Sequence, residues 1–320
     1  MNLKAVRYNN PMLISAVRSK LTSKSNVWVA PSIDFAGVTD QFLANASEYA
    51  EKTDNRAYWQ WLLTKVLQRV TLPKAPRILE VGAGSGNATL ALLELVPDAR
   101  ILANDISPQL IAIMRARLTA AQAKRTELVC ADALALEFEP ESFDFAIGTA
   151  ILHHLFEPEA MLRQVCRALV PGGQAAFLEP FEPGHVVLRV ILEHLIRDRA
   201  VLGIAEEIAA DLQRSVDDTA MRASLRRDDP TINILDDKWL FTAGRFAAMG
   251  ERIGFRRSVC FSTPDVTGLF EGHIHCWLKY VRGRADLPDT AWEVIRHYDR
   301  VFSDDLKQEI FLDGAVVFTK

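Results

Sequence analysis

Apolar and polar residues alternate regularly along the middle of the chain. Between residues 76 and 180, short apolar runs are separated by stretches whose apolar residues recur at helical spacing. This alternation is typical of βαβ units that build a parallel sheet. The predicted strands cover residues 77–81, 100–104, 127–130, 143–148 and 174–178, and the predicted helices cover 87–95, 108–121 and 158–169.

The alternation breaks after residue 180, where helical patterns follow one another without strands between them. The predicted elements here are helices over 186–197, 200–214, 219–225, 246–253, 268–281 and 289–301, and strands over 256–261 and 315–319. About fifty residues separate the two strands, which is too long for a hairpin loop and indicates a packed insertion. The pattern therefore predicts an α/β fold with helical additions.

These elements divide the chain into four parts. We expect a helical N-terminal arm or cap over 1–71 and an α/β core over 72–180. A helical insertion follows over 181–240, and residues 241–320 complete the sheet with a further helical insertion near 263–313. Both insertions should lie above the carboxyl ends of the strands, where ligands enter this architecture.

The composition fits a globular protein whose charges are unevenly placed. Of the 320 residues, 49% are hydrophobic and 24% are charged, which argues against disorder. The net charge of −4 offers no general attraction to nucleic acid. Residues 1–30 hold five bases and no acid, a composition shared with transit peptides, and we interpret them as an ordered arm. Residues 181–240 hold twelve acids and eight bases.

The cysteines and the hydropathy favour a cytoplasmic protein. Cys130, Cys166, Cys260 and Cys276 form no C-x-x-C pair, which argues against a zinc site or a redox dithiol. We therefore expect reduced thiols. No run approaches 18 consecutive apolar residues, so no transmembrane segment is expected.

A glycine-rich loop is the strongest chemical signal. Residues 80–87 read EVGAGSGN, after an apolar strand and at the start of a predicted helix. Glycines let a ligand approach the backbone, and the helix start offers free N–H groups. Asn87 stands where a dinucleotide loop has its third glycine, and no P-loop lysine follows. A purely structural turn is the alternative.

Acidic residues follow the next two predicted strands. Asp105 comes at the end of one strand and can accept hydrogen bonds from ribose hydroxyls. Asp132 follows the next strand in the same way, so both carboxylates should lie at one edge of the sheet. For Asp105, the alternative is a cap on the helix that begins at Pro108.

Residues 76–180 resemble the class I S-adenosylmethionine-dependent methyltransferases. The loop matches their first motif, 143–155 resembles their fourth motif, and LVPGG at 169–173 resembles the turn before their fifth strand. The resemblance implies a doubly wound, mostly parallel seven-stranded sheet with an antiparallel final strand. It implies S-adenosylmethionine as cofactor and S-adenosylhomocysteine as product. The cofactor-binding residues that it implies are Glu80, Gly82, Ala83, Gly84, Gly86, Asp105, Ile106, Asp132, Ala133 and Thr149.

The reaction that the resemblance implies is in-line transfer of a methyl group to a nucleophile. Alignment of the acceptor should supply much of the rate, and a hydroxyl acceptor also needs a general base. His153 and His154 follow the fourth core strand and are candidate bases, with Glu179 as a third candidate. Alternatively, one histidine packs against or caps a helix while the other holds the methionine end of the cofactor.

Two further groups have structural interpretations. His273 and His275 have the spacing of a metal pair only on an extended chain, and on the predicted helix they diverge, so we expect no metal. Tyr58, Trp59 and Trp61 are expected to pack, although a ring facing a sulfonium would be favourable.

The acceptor is expected to be a small or medium organic molecule under an apolar lid, with O-methylation favoured over N- or C-methylation. The stripes that we expect to cover it are Val187, Leu188, Ile191 and Leu195, and Phe270, Ile274, Trp277 and Leu278. Nucleic acid is disfavoured as a partner and a homodimer is left open. The alternatives are methylation of RNA or another macromolecule, and an isomerase or cyclase that binds the cofactor without using its methyl group.

Overall fold

The computed structural model describes residues 21–24, 27–35, 37–224, 229–233, 235–265 and 267–320. Its strands are β1 (Thr22–Lys24), β2 (Val27–Val29), β3 (Arg77–Val81), β4 (Arg100–Asp105), β5 (Thr126–Cys130), β6 (Phe143–Thr149), β7 (Leu169–Pro180), β8 (Arg257–Ser262) and β9 (Asp313–Thr319). The basic side chains of the N-terminal segment lie outside the described residues, so the ordered arm over 1–30 stays a prediction for them.

Helices surround these strands. The longer ones are α1 (Ala46–Thr53), α2 (Arg56–Leu67), α3 (Asn87–Leu95), α4 (Pro108–Arg117), α6 (Pro158–Ala168), α7 (Glu182–Arg197), α9 (Glu206–Ser224), α10 (Ala243–Ile253), α11 (Leu269–Arg282) and α12 (Asp289–Val301). Three are single turns, α5 (Ala120–Ala123), α8 (Arg199–Leu202) and α13 (Asp304–Lys307). No helix among the described residues is long and apolar enough to cross a membrane.

The strands form one mixed, mostly parallel sheet in the order β1-β2-β5-β4-β3-β6-β7-β9-β8. Strands β3 to β7 are mutually parallel, and β9 is antiparallel to both β7 and β8. The doubly wound fold with an antiparallel last strand is confirmed. The expected count of seven strands is wrong, because β1 and β2 extend the edge next to β5. The arm is therefore not purely helical.

The lengths of two predicted helices need correction. The helix predicted over 108–121 ends at Arg117, and a separate turn begins after Thr119, whose side chain and that of Gln122 form a capping box. The helix predicted over 200–214 is interrupted at Gly203, which has a left-handed backbone with φ of 70° and ends α8. Glycine adopts this conformation without the strain that a β-carbon would add, so the helical pattern stops there.

Helices α7, α9, α11 and α12 form a lid with its own apolar core. The lid core includes both predicted apolar stripes, and its fully or nearly fully buried members include Leu188, Ile191, Leu192, Leu195, Leu212, Phe270, Ile274, Leu278, Ala291 and Ile295. The stripes therefore pack mainly on one another. This separate core lets the lid stand over the sheet edge and leave space beneath it.

The lid contacts the core closely at Gly184. A β-carbon at this position of α7 would lie 2.5 Å from the carbonyl carbon of Phe311, just before β9. Backbone atoms cannot move away as a side-chain tip can. The absence of a side chain at Gly184 therefore allows the first turn of α7 to reach the sheet.

We expect Gly184→Ala to lower the free energy of unfolding by about 1–3 kcal/mol, because the methyl group overlaps packed backbone. Gly272→Ala is the matched control, since this lid-helix glycine is exposed and has nothing within 4 Å of its β-carbon position. Better helix propensity should stabilise that control by roughly 1 kcal/mol. Chemical denaturation of both variants measures the difference, and equal stabilities would contradict the packing described here.

Candidate active site

The glycine loop turns the chain sharply between β3 and α3. Gly82, Gly84 and Gly86 all have positive φ, at 67°, 55° and 86°. A β-carbon at Gly82 would overlap Ile151, and one at Gly86 would overlap Met114, whereas Gly84 has nothing within 4 Å. Two of the glycines thus permit close packing, and the third leaves open space where a ligand can approach the backbone.

That open space belongs to a cavity of about 320 Å³, which we call the loop cavity. Seven of the predicted cofactor residues line it, namely Gly82, Gly84, Asp105, Ile106, Asp132, Ala133 and Thr149. Glu80, Ala83 and Gly86 do not line it. Glu80 is fully buried behind the loop and accepts a hydrogen bond from the Thr89 hydroxyl at 2.6 Å. Burial raises the pKa of Glu80 to about 8.

The other walls of the loop cavity come from residues that the motifs did not indicate. Several precede the core, namely Asp34, Gly37, Val38, Phe42 and Tyr49, and further ones are Asn104, Leu110, Leu134, Phe156 and Asp236. No spacing pattern in the sequence connects the early residues with the loop. Only the folded path of the chain, which brings 34–49 across the sheet edge, places them there.

Asp105 is held in place by backbone groups. Its two carboxylate oxygens accept hydrogen bonds from the N–H of Gly84 at 2.7 Å and of Ser107 at 2.8 Å. Burial raises the pKa of Asp105, and these two hydrogen bonds oppose that rise. A carboxylate oxygen has two lone pairs, so each oxygen can still accept one hydrogen bond from a ligand. The cap of α4 is Ser107, whose side chain accepts from the N–H of Leu110, and not Asp105.

A second cavity of about 360 Å³ lies under the lid, and we call it the lid cavity. It shares Thr149 and Ala150 with the loop cavity, so the two meet at the end of β6. Ala150 has a φ of 57°, a strained conformation for a residue with a β-carbon. Its N–H donates to the Leu178 carbonyl at 2.8 Å, which holds it there. Strain of this kind often marks a functional site.

Glu179 organises the segment that follows this junction. Its buried carboxylate accepts hydrogen bonds from the backbone N–H groups of Ile151, Leu152 and His153, at 3.2, 2.8 and 3.2 Å. Its Oε2 also lies 2.6 Å from Nδ1 of His153. Glu179 is therefore committed to shaping this segment and orienting His153.

The two adjacent histidines line different cavities. His153 lines the lid cavity, and its Nε2 lies 3.3 Å from Oδ1 of Asp237. Burial alone would lower the pKa of His153, but the carboxylates of Glu179 and Asp237 outweigh it and raise the pKa to about 9. His154 lines the loop cavity, where its Nδ1 lies 3.0 Å from the Asp236 carbonyl and its ring packs edge-on against Phe42.

The lid continues this charged network. Arg222 of α9 lies 3.6 Å from Asp237 and 3.1 Å from Asp218, and it donates to the Trp239 carbonyl at 3.0 Å. Burial would raise the pKa of Asp237, but the positive charges of His153 and Arg222 lower it. The carboxylate of Asp237 therefore connects the lid with the imidazole of His153.

The lid cavity is also lined by His273, one of the two histidines with possible metal-pair spacing, and by two aromatic residues, Tyr58 and Trp59. His273 lies on α11 with Nδ1 3.1 Å from Oδ2 of Asp313, whereas His275 points away toward Trp292. The helical interpretation of this pair is therefore correct. Tyr58 and Trp59 line the lid cavity rather than serving only to pack. Trp61 does not line it and instead has Lys65 Nζ 4.1 Å from the centre of its ring.

The lining of the lid cavity differs from the apolar pocket expected from the stripes. It includes Leu188 and Trp277, but its ionisable members are Tyr58, His153, Glu179, His185, Asp218, Arg222, Asp237, His273 and Asp313. The helical stripes predicted the apolar residues of these helices but not the polar ones. His185 and His273 lie within one turn of Leu188 and Trp277 and line the cavity with them.

Three side chains near the junction have the spacing of a metal site. One donor atom from each of His153, His154 and Asp237 lies within 4.8 Å of the others. Hydrogen bonds account for this arrangement, because Glu179 engages Nδ1 of His153 and the Asp236 carbonyl engages Nδ1 of His154. We therefore interpret the group as a hydrogen-bonded network.

Comparisons with known proteins identify a methyltransferase domain in the core of the chain. A family model described as "Methyltransferase domain" matches residues 78–173. The chain is 32% identical over 148 residues to a trans-aconitate 2-methyltransferase of Methylobacterium nodulans, covering 45% of this chain and 54% of that protein. It is 35% identical over 111 residues to a demethylmenaquinone methyltransferase of Thermus thermophilus, covering 34% and 50%. The chain thus spans about half the length of these relatives.

Solved structures share the fold at low sequence identity. A Haemonchus contortus phosphoethanolamine N-methyltransferase 2 in complex with S-adenosyl-L-methionine matches with a TM-score of 0.56 and 16% identity, covering 91% of this chain and 60% of that one. A putative methyltransferase of Haloferax volcanii, solved with the Trm112 activator, matches with a TM-score of 0.54 and 16% identity, covering 88% and 98%. The sheet order and the glycine loop agree with the family match, which identifies residues 78–173 as a methyltransferase domain.

Proposed function

We propose that the chain methylates a hydroxyl group of a small organic acceptor by in-line transfer. The observation that carries the proposal is the meeting of two cavities at Thr149 and Ala150, one beside the glycine loop and one beneath the lid. S-adenosylmethionine supplies the methyl group from its sulfonium centre. The walls of the two cavities hold cofactor and acceptor on opposite sides of the junction, and this alignment provides much of the catalysis.

The residues of the loop cavity fit this cofactor. Asp105 retains acceptor capacity for two ribose hydroxyls, and Asp132 can accept from the adenine amino group. Gly84 leaves room for the cofactor to approach the backbone. Asp236 and Asp34 add carboxylates to the same cavity, which suits a ligand with an amino group and a sulfonium charge. His154 lines this cavity, which supports a cofactor-holding role for it.

His153 is the general base in this proposal. Glu179 accepts a hydrogen bond from the N–H at Nδ1, so the neutral ring presents an unprotonated Nε2, which can accept a proton from an acceptor hydroxyl. Glu179 acts as a positioning residue, since its oxygens already accept from the backbone and from His153. This assignment gives the three candidate bases different roles. His153 receives the proton, Glu179 orients the ring of His153, and His154 faces the cofactor.

The position of the lid cavity beneath helices favours a small acceptor over RNA. Side chains from α7, α9 and α11 cover it, namely His185, Leu188, Ser215, Asp218, Thr219, Arg222, His273 and Trp277. Its volume of about 360 Å³ suits a molecule of drug size or smaller. The relatives are named for trans-aconitate and demethylmenaquinone, two chemically different acceptors, so the acceptor has to be inferred from this cavity itself.

Turnover with S-adenosylmethionine and a panel of small hydroxylated compounds tests the proposal. Mass spectrometry should detect S-adenosylhomocysteine together with an O-methylated product. If the cofactor binds and an acceptor is converted without formation of S-adenosylhomocysteine, the isomerase or cyclase alternative replaces methyl transfer. A product methylated only on nitrogen or carbon would contradict O-methylation.

Asp105→Ala should weaken binding of S-adenosylhomocysteine by about 10- to 100-fold, since hydrogen bonds to charged groups contribute roughly 1.5–3 kcal/mol. Isothermal calorimetry measures the affinity. Asp98→Ala is the control, because Asp98 is exposed and does not line the loop cavity. An unchanged affinity of the Asp105 variant would refute the ribose assignment.

His153→Gln should lower kcat by about 100- to 10,000-fold, the usual contribution of a general base, with little change in cofactor affinity. His297→Gln, at an exposed position of α12 outside both cavities, should keep normal turnover. Initial rates at saturating substrate provide kcat for both variants. Normal turnover of the His153 variant would point to an acceptor that needs no base.

The limiting rate should rise from pH 7, reach half of its maximum near pH 9 and level off above that pH. The reason is that His153 must be unprotonated to act as a base, and its pKa is raised to about 9. Asp237→Asn removes one of the carboxylates that raise this pKa, so its plateau should begin at a lower pH. Identical pH–rate profiles for the two proteins would exclude His153 as the titrating base.

A further inference from the structure

We propose that the acceptor carries a protonated amine, which the carboxylate of Asp313 binds beside the aromatic wall of the lid cavity. The inference rests on the proposed function for the role of this cavity and adds the charge of the acceptor. Three observations support it: the balance of charges in the cavity, a carboxylate oxygen without a partner, and aromatic rings nearby.

The charges that line the lid cavity are mainly negative. Four carboxylates line it, from Glu179, Asp218, Asp237 and Asp313, against one guanidinium from Arg222. Protonation of both His153 and His273 would still leave an excess of one negative charge. His185 does not add to the positive side, because burial above all lowers its pKa to about 3.

Three of the four carboxylates are already engaged by protein groups. Glu179 accepts from three backbone N–H groups and from His153, while Asp218 and Asp237 both lie beside Arg222. The Asp313 side chain is 52% accessible, and its only partner among the described residues is His273, on Oδ2. Oδ1 of Asp313 is therefore available to a ligand in the lid cavity.

Aromatic side chains line the same cavity as this free oxygen, namely Tyr58, Trp59 and Trp277. Trp277 is one helical turn from His273, the residue that pairs with Asp313. Burial above all raises the pKa of Tyr58 to about 12, so its hydroxyl stays neutral. A cavity that holds both a carboxylate and aromatic rings is a favourable site for an ammonium group, through ion pairing and cation–π attraction.

The same arrangement disfavours an anionic acceptor. Arg222 already pairs with Asp218 and Asp237 and donates to the Trp239 carbonyl, so its guanidinium is neutralised before any ligand enters. No lysine lines the cavity among the described residues. A carboxylate or phosphate group would lose its hydration without gaining a free cation.

Three phenols of matched shape test the charge preference directly. Tyramine carries an ammonium group on a two-carbon side chain, 4-(2-hydroxyethyl)phenol carries a neutral hydroxyl there, and 3-(4-hydroxyphenyl)propanoate carries a carboxylate. Calorimetric titration of the full chain, saturated with S-adenosylhomocysteine at pH 7, measures each affinity. We expect tyramine to bind at least tenfold more tightly than the propanoate, with the neutral phenol between them.

Variants locate the ammonium group. Asp313→Asn should remove most of the preference for tyramine, while Asp305→Asn, an exposed acid in α13 outside both cavities, should retain it. The proposal is overturned if tyramine does not bind, if the propanoate binds wild type as tightly, or if the Asp313 variant keeps the full preference. Amine binding without formation of S-adenosylhomocysteine from S-adenosylmethionine would contradict methyl transfer and leave the amine site standing.

Discussion

A buried carboxylate shapes the segment that separates the two cavities. Glu179, at the end of β7, accepts three consecutive backbone N–H groups and the ring of His153. Hydrogen bonds to a charged group contribute roughly 1.5–3 kcal/mol each, so together they can hold the strained backbone of Ala150. Without this carboxylate, four polar groups at the sheet edge would lose their partner. The position of His153 and the walls of both cavities depend on this interaction.

The glycine loop imposes the second constraint, and it links the sequence to the ligand. Its three positive φ angles turn the chain within a few residues, which brings the N–H of Gly84 to the carboxylate of Asp105 on the neighbouring strand. The parallel register of β3 and β4 places both at the same edge of the sheet. Because these contacts are local to two adjacent strands, they can be recognised from spacing alone.

The parts that sequence analysis predicted correctly depend on local chemistry or short-range pairing. Strand β3 and helix α3 begin and end at the predicted residues, since an apolar run, a glycine turn and a helical pattern follow one another directly. The same local reasoning failed at Gly203, where one residue with positive φ ended a helix whose apolar pattern continued beyond it. It also missed β1 and β2, because β2 pairs with β5, about a hundred positions away, and β1 pairs with β2.

The chemistry of the lid cavity could not be predicted, because it arises from side chains far apart in the chain. Asp237 meets His153, and Asp313 meets His273, only after the lid has packed on the sheet. Apolar periodicity identified the apolar residues of the lid helices, and it contains no information about which polar residues converge on the cavity. The charged character of the lid cavity is thus a property of the tertiary structure.

The central claim is that cofactor and acceptor meet at the end of β6, between the loop cavity and the lid cavity. A crystal structure of the full chain with S-adenosylhomocysteine measures this directly. The account predicts ribose hydroxyls within hydrogen-bond distance of Asp105 and a sulfur atom beside Thr149 and Ala150, facing the lid cavity. A ribose without contact to Asp105, or a sulfur atom directed away from that junction, would contradict it.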